Sequence, residues 1–135
     1  MMRTPRRPSK TSLAIIERAY RGSLEEQYGH IVWLTRIMKG MSAPTALLLK
    51  GDTLMFAKRG QLVRPLRIGD LDIDVLSNYE AGLVDVLAAQ VPVYAWHADM
   101  LRLGLTQADL VDGIEPIHAA GMPALLNRYD CIWYW

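Results

Sequence analysis

The residues best placed to do chemistry lie in VPVYAWHADMLRLGL, residues 91–105, where an apolar run stops at Trp96, His97 and Asp99. An imidazole ionises near neutrality and shuttles protons, and a carboxylate two residues on is close enough to orient it or to act by itself. The structural alternative is that His97 makes one hydrogen bond at a strand end and that Asp99 caps a helix beginning at Met100. Arg21 and Lys50 follow two other apolar runs and would bring positive charge. Gly22 and Ser23 open a helical stretch whose free amides favour a bound anion such as phosphate, sulfate or a carboxylate. Asp52 stands two residues beyond Lys50. The plainer reading of Arg21 and Lys50 is solvated loop charge. His118 follows a further apolar run and is placed to join His97. Two histidines and Asp99 lack the spacing of a metal motif, so no metal and no cofactor is expected. His30, four residues after Glu26, reads as an ion-pair partner or a surface residue.

These side chains need strands and helices to position them. Residues 12–19 (SLAIIERA) begin as a strand and lead into the turn at 20–23. Ser23 with Glu26 three residues later forms a capping box, and Tyr28, Ile31, Val32, Leu34 and Met38 repeat at helical spacing as far as Gly40. Residues 46–49 are a short buried strand that stops at Lys50-Gly51-Asp52, and 53–58 a helical turn or short helix. Residues 61–76 carry Arg64, Pro65, Arg67 and a charged run at 70–74, a pattern that reads as a hairpin or an ordered flap. A helix over 79–90 follows Ser77 or Asn78 as cap, with Leu83, Val84, Leu87 and Ala88 on its apolar face. Then come a strand over 91–95, a strand over 114–117, a helix over 122–128 and a closing strand over 130–135. Strands alternating with helices predict an α/β fold: a three-layer, mostly parallel five-stranded sheet with helices on both faces. Parallel strands end at one edge, so the loops at 21–23, 50–52 and 96–99 are expected to converge on one crevice.

The chain has 135 residues, 51% of them apolar, and a net charge of +1. This fits one α/β domain over 12–135, after a basic tail over 1–11 that reads as disordered. The twin arginines Arg6 and Arg7 precede an apolar run too short for an export signal, and no run approaches the roughly 18 residues a membrane span needs. No basic face with interleaved aromatics suggests nucleic acid. The single cysteine, Cys131, excludes an internal disulfide. Inside the closing strand and without a cationic neighbour in sequence, it reads as a small, inert, buried hydrophobe. Strand alternation sends Trp133 and Trp135 to one face and Tyr134 to the other, as core residues under a helix or as part of a subunit interface.

Three pieces of the chain resemble the DsrE/DsrF/DsrH (TusBCD) sulfur-relay superfamily: ERAYRGSLEEQYGHIVWL, LLLKGD, and VYAWHADMLRLGL with the adjoining IEPIHAAGMPALLNRYDCIWYW. The last is similar to a DsrH-like ending. The resemblance implies a DsrE/flavodoxin-like fold. Sulfur-carrying members place a cysteine just after the strand that matches residues 91–95, where this chain has Trp96, His97 and Asp99. It therefore looks like a member lacking the usual cysteine. Such a resemblance implies a cytoplasmic, non-catalytic binding or assembly component in intracellular sulfur trafficking, forming homo- or hetero-oligomers with DsrE-like subunits and meeting a small anion or a sulfur-carrier protein. Two alternatives stay open: a small-molecule enzyme using His97 and Asp99 as acid-base groups, and a sulfurtransferase carrying a persulfide on Cys131.

Overall fold

Two apolar runs form the centre of the sheet, and every residue of both is buried: Ser12–Ile16 (β1) and Thr45–Leu49 (β2). A strand covered on both faces needs such a continuous apolar run, because neither face meets water. In the computed structural model, which describes residues 11–18, 27–41, 43–61, 66–73 and 79–134, three more strands join them. These are Val93–Trp96, Glu115–Ile117 and Cys131–Tyr134. Between β2 and Val93–Trp96 a two-stranded antiparallel hairpin intervenes, Leu66–Ile68 (β3) and Leu71–Ile73 (β4), so the three are β5, β6 and β7. The main sheet runs β6-β5-β2-β1-β7 and every pairing in it is parallel.

Alternation along the strands divides the core in two. Ala14, Ile16, Leu47, Leu49, Val93 and Ala95 face helices Gln27–Gly40 (α1) and Tyr79–Ala88 (α2), which supply Ile31, Val32, Leu83 and Val86. Leu13, Ile15, Ala46, Leu48 and Tyr94 face the opposite way, onto Leu125 of Met122–Asn127 (α4). Each fully buried leucine contributes about 1.5–3 kcal/mol relative to an exposed one. The chain steps from β1 through β2 and β5 to β6 in one direction along the sheet, then returns to place β7 beyond β1. Right-handed crossovers put helices of opposite travel on opposite faces, which is why α4 lies beneath, opposite α1 and α2. Among the described residues no helix is long and apolar enough to cross a membrane.

The three-layer parallel sheet with helices on both faces is the predicted one, and differences are local. Residues 66–73 are a hairpin around Gly69-Asp70, a two-residue turn that the broken apolar pattern left undecided between hairpin and flap. Strand β5 runs on to Trp96, and the helix after it, His97–Arg102 (α3), starts at His97 instead of Met100. Asp99 therefore sits inside the first turn and is not its cap. Strand β7 is an edge strand, so Cys131 is partly exposed and not fully buried. Trp133 and Tyr134 are 49% and 60% exposed for the same reason. The expected turn and capping box at 20–26, with Arg21, Gly22 and Ser23, lie outside the described residues, as does the tail over residues 1–10.

Candidate functional site at the strand ends

Strands β5, β2 and β1 are neighbours and parallel, with Leu49 paired to both Ile16 and Ala95. Their C-terminal ends therefore line up, and the chain leaves the sheet at Glu17, Lys50 and His97 on one edge. Of the residues expected there, Lys50, Asp52, Trp96, His97 and Asp99 are brought together.

Gly51 knits this edge. Its φ of +57° is a left-handed conformation that favours glycine, and a β-carbon there would stand 2.8 Å from the carbonyl oxygen of Glu17. The tight path turns its amide toward α3, where it donates to Asp99 Oδ2 at 2.7 Å. Arg102 lies one helical turn along and reaches Asp99 Oδ1 at 3.4 Å through Nε, while another of its nitrogens lies 3.7 Å from Asp52 Oδ1. The Thr53 hydroxyl is fully buried and shares its one proton between the carbonyls of Lys50, 2.6 Å away, and Ile16, 2.9 Å away, tying the exits of β1 and β2. Arg102 was not among the residues expected here; its i, i+3 spacing from Asp99 on a helix is the signal that could have found it. Nothing in the local sequence marked Thr53, whose partner Ile16 is far away in the chain.

Asp99 is thus engaged by a backbone amide and a guanidinium, and among the described residues it has no hydrogen bond to His97. The His97 ring meets His118 instead, with centroids 4.0 Å apart and planes tilted by 35°. Register explains the meeting. Trp96 pairs with Ile117 across neighbouring parallel strands about 4.8 Å apart, so the next residue of each strand arrives beside its counterpart. Lys50 Nζ lies over the Trp96 ring, 5.4 Å from its centroid, a cation–π distance. Among the described residues Lys50 has no carboxylate partner. No group of three or more histidine, cysteine, aspartate or glutamate residues among them is arranged to hold a metal ion.

Cys131 is elsewhere. It opens β7 in register with Ser12, the first residue of β1, and so lies at the N-terminal ends of the strands. The four-residue length of β7 separates it from the other edge by roughly 10 Å along the strands alone. The side chain of His30, like Glu26, is outside the described part of the structure.

A five-stranded parallel sheet in this order, with helices on both faces and loops gathered at the strand C-terminal ends, defines an α/β domain of the DsrE-like fold. The crystal structure of the YchN protein from E. coli has that fold and is similar to this chain with a TM-score of 0.69, covering 94% of this chain and 99% of its own at 19% identity. No family profile matches the chain, and no curated protein does.

Proposed function

We propose that this protein is a non-catalytic binding and assembly component of the DsrE-like superfamily that accepts a small anion at the C-terminal ends of its strands. The observation that carries the reading is the charge arrangement at that edge. Asp52 and Asp99 are turned to Arg102 and the Gly51 amide. Lys50 stays over Trp96, and the imidazoles of His97 and His118 lie against each other one residue further along. Lys50 and the two imidazoles thus remain for a ligand, while Asp52 and Asp99 are engaged by Arg102 and the Gly51 amide. The anion class is an oxoanion such as phosphate, sulfate or thiosulfate, or the sulfur-bearing end of a carrier protein. A cytoplasmic place in sulfur trafficking, with homo- or hetero-oligomeric DsrE-like subunits, is the setting the family resemblance suggests.

Acid-base catalysis by His97 and Asp99 draws less support, because Asp99 accepts from Gly51 and Arg102 and, among the described residues, His97 has no orienting carboxylate. Persulfide carriage on Cys131 draws less still, since the thiol opens the opposite end of the sheet. The test is isothermal titration of the full-length protein with phosphate, sulfate and thiosulfate, beside Lys50→Met and the double variant His97→Ala, His118→Ala. The expected result is saturable binding that weakens at least tenfold in both. No binding of any of the three by the wild type, or unchanged binding in both variants, would overturn the reading.

A further inference from the structure

The two edges of the sheet are treated differently by the sequence. Strand β6 carries Glu115 and Pro116, a charge and a residue without an amide hydrogen, and both discourage another chain from pairing there. Strand β7 reads Cys131-Ile132-Trp133-Tyr134, with neither charge nor proline. Its inner side pairs with β1, and among the described residues no strand pairs with its outer side. Its side chains remain open on both faces. Trp133 is level with Ala14 on the α1 side, while Ile132 and Tyr134 are level with Leu13 and Ile15 on the α4 side.

Helix α1 extends this apolar edge. Trp33, Ile37 and Met41 repeat every four residues with Leu34 beside them, and all four are exposed within an arc of roughly 100° on the helix surface. Arg36 lies on the opposite flank, toward α2, where it meets Asp85 at 3.4 Å. An exposed helix flank ordinarily carries the polar residues. Between α1 and β7 the two apolar surfaces are continuous through a cavity of about 270 Å³, whose lining includes Ala14, Ile31, Leu34, Met38 and Trp133 with the threonines Thr35 and Thr45.

We propose that the β7 edge and the outer flank of α1 form a two-fold interface with a second copy of this chain. This deepens the assembly part of the proposed function and names its surface. Antiparallel pairing of β7 with its own copy joins the two sheets into one of ten strands and sets the two α1 flanks side by side. A two-fold contact of identical strands is self-complementary. The area is also sufficient. A buried aromatic contributes about 150–250 Å², and the exposed fractions of Trp33, Trp133 and Tyr134 with the four aliphatic side chains offer at most roughly 800 Å² per copy, the size of one side of a standard interface. One alternative occupant from the chain itself is the segment over residues 1–10. Its sequence carries Pro5 and Pro8 and four basic residues, a poor match to an apolar strand edge.

Sedimentation analysis of the full-length protein between about 1 and 100 µM tests this, a range that brackets the micromolar affinities of standard interfaces. The expected result is a dimer, or a larger assembly built from dimers. Trp133→Glu and, separately, Trp33→Glu with Ile37→Glu should each weaken the pair contact by roughly 30-fold or more, as loss of a central aromatic anchor does. Leu101→Glu, at an exposed site on α3 away from this face, should leave it intact. Trp33 and Ile37 are open on a helix surface, so their variant reports even where Trp133→Glu fails to fold. A monomer at 100 µM overturns the proposal. So does an assembly indifferent to the α1 and β7 variants, and so does a wild-type monomer that dimerises only after removal of residues 1–10. Anion titration of the same samples reads the strand-end site separately, so one reading can fail without the other.

Discussion

Replacing Gly51 by alanine is the sharpest probe of how the strand ends are held. The left-handed φ of +57° costs a residue with a β-carbon about 1–2 kcal/mol. The new β-carbon would also stand 2.8 Å from the Glu17 carbonyl oxygen and 3.3 Å from its Cγ. The nearer neighbour is backbone at the exit of β1 and has no rotamer to escape through, so the loop must move. Movement draws the Gly51 amide away from Asp99 Oδ2, a charge-assisted bond at 2.7 Å worth about 1.5–3 kcal/mol. These effects overlap, and the expected cost is about 3–4 kcal/mol. Gly104 is the matched control: its φ is +71°, but a β-carbon there would have no heavy atom within 4 Å, so only the conformational cost of about 1–2 kcal/mol remains. Urea unfolding followed by tryptophan fluorescence, at one fixed protein concentration, reads both. With a slope of about 1.5–2 kcal/mol per molar, the midpoint falls by about 2 M for Gly51→Ala and by about 0.5–1 M for Gly104→Ala. Equal shifts would refute the close approach of β1 to the Gly51 loop.

Asp99→Asn should be mild and Asp99→Ala costly, because the amide oxygen of asparagine still accepts the Gly51 N–H while alanine leaves that partly buried donor unmatched; about 1 kcal/mol or less against about 1.5–3 kcal/mol is expected by urea unfolding. The Tyr129 phenol is pushed well above its ordinary value of 10, first by burial and then by its hydrogen bond with Tyr94, 3.3 Å away. A folded-state value above the unfolded one means that the associated stability is complete below about pH 10 and is lost as pH rises toward the folded value. Tyr129→Phe should remove that alkaline loss, and stability curves of the two proteins that stay parallel above pH 10 would disprove the assignment.

The sheet was readable because its central strands are buried on both faces. Runs such as LAII and ALLL have few other uses in a chain of this length, and helices spaced between them dictate parallel pairing. The gathering of Lys50, Trp96 and His97 at one edge follows from that parallel order alone. Which groups touch there was not legible. The His97–His118 contact depends on Trp96 pairing with Ile117, a register between strands about twenty residues apart in the chain, and the Asp99 bond depends on a left-handed backbone at Gly51. Carboxylate and imidazole two residues apart suggested a pair. In the structure the first turn of α3 carries Asp99 toward the end of β2, and His97 toward the end of β6. The exposure of β7 was likewise hidden, because four apolar residues in an edge strand and in a central strand look the same in sequence.

Assembly and anion binding should be separable, and the strand order says why. The histidine pair lies at the ends of β5 and β6, whereas the proposed two-fold contact is at β7, with β2 and β1 between. Three strand spacings separate β5 from β7, about 14 Å across the sheet. The Lys50–Trp96 contact spans β2 and β5, and no residue of β7 or of the apolar flank of α1 takes part in it. Sites this far apart with no shared partners are ordinarily additive to within about 0.3–0.5 kcal/mol, a factor of roughly two in affinity. A monomeric Trp33→Glu, Ile37→Glu variant should therefore bind an anion within about twofold of the wild type, and Lys50→Met should assemble as the wild type does. Loss of anion binding on monomerisation would mean that the second copy completes the site, and the strand-end edge of a single chain would then be insufficient on its own.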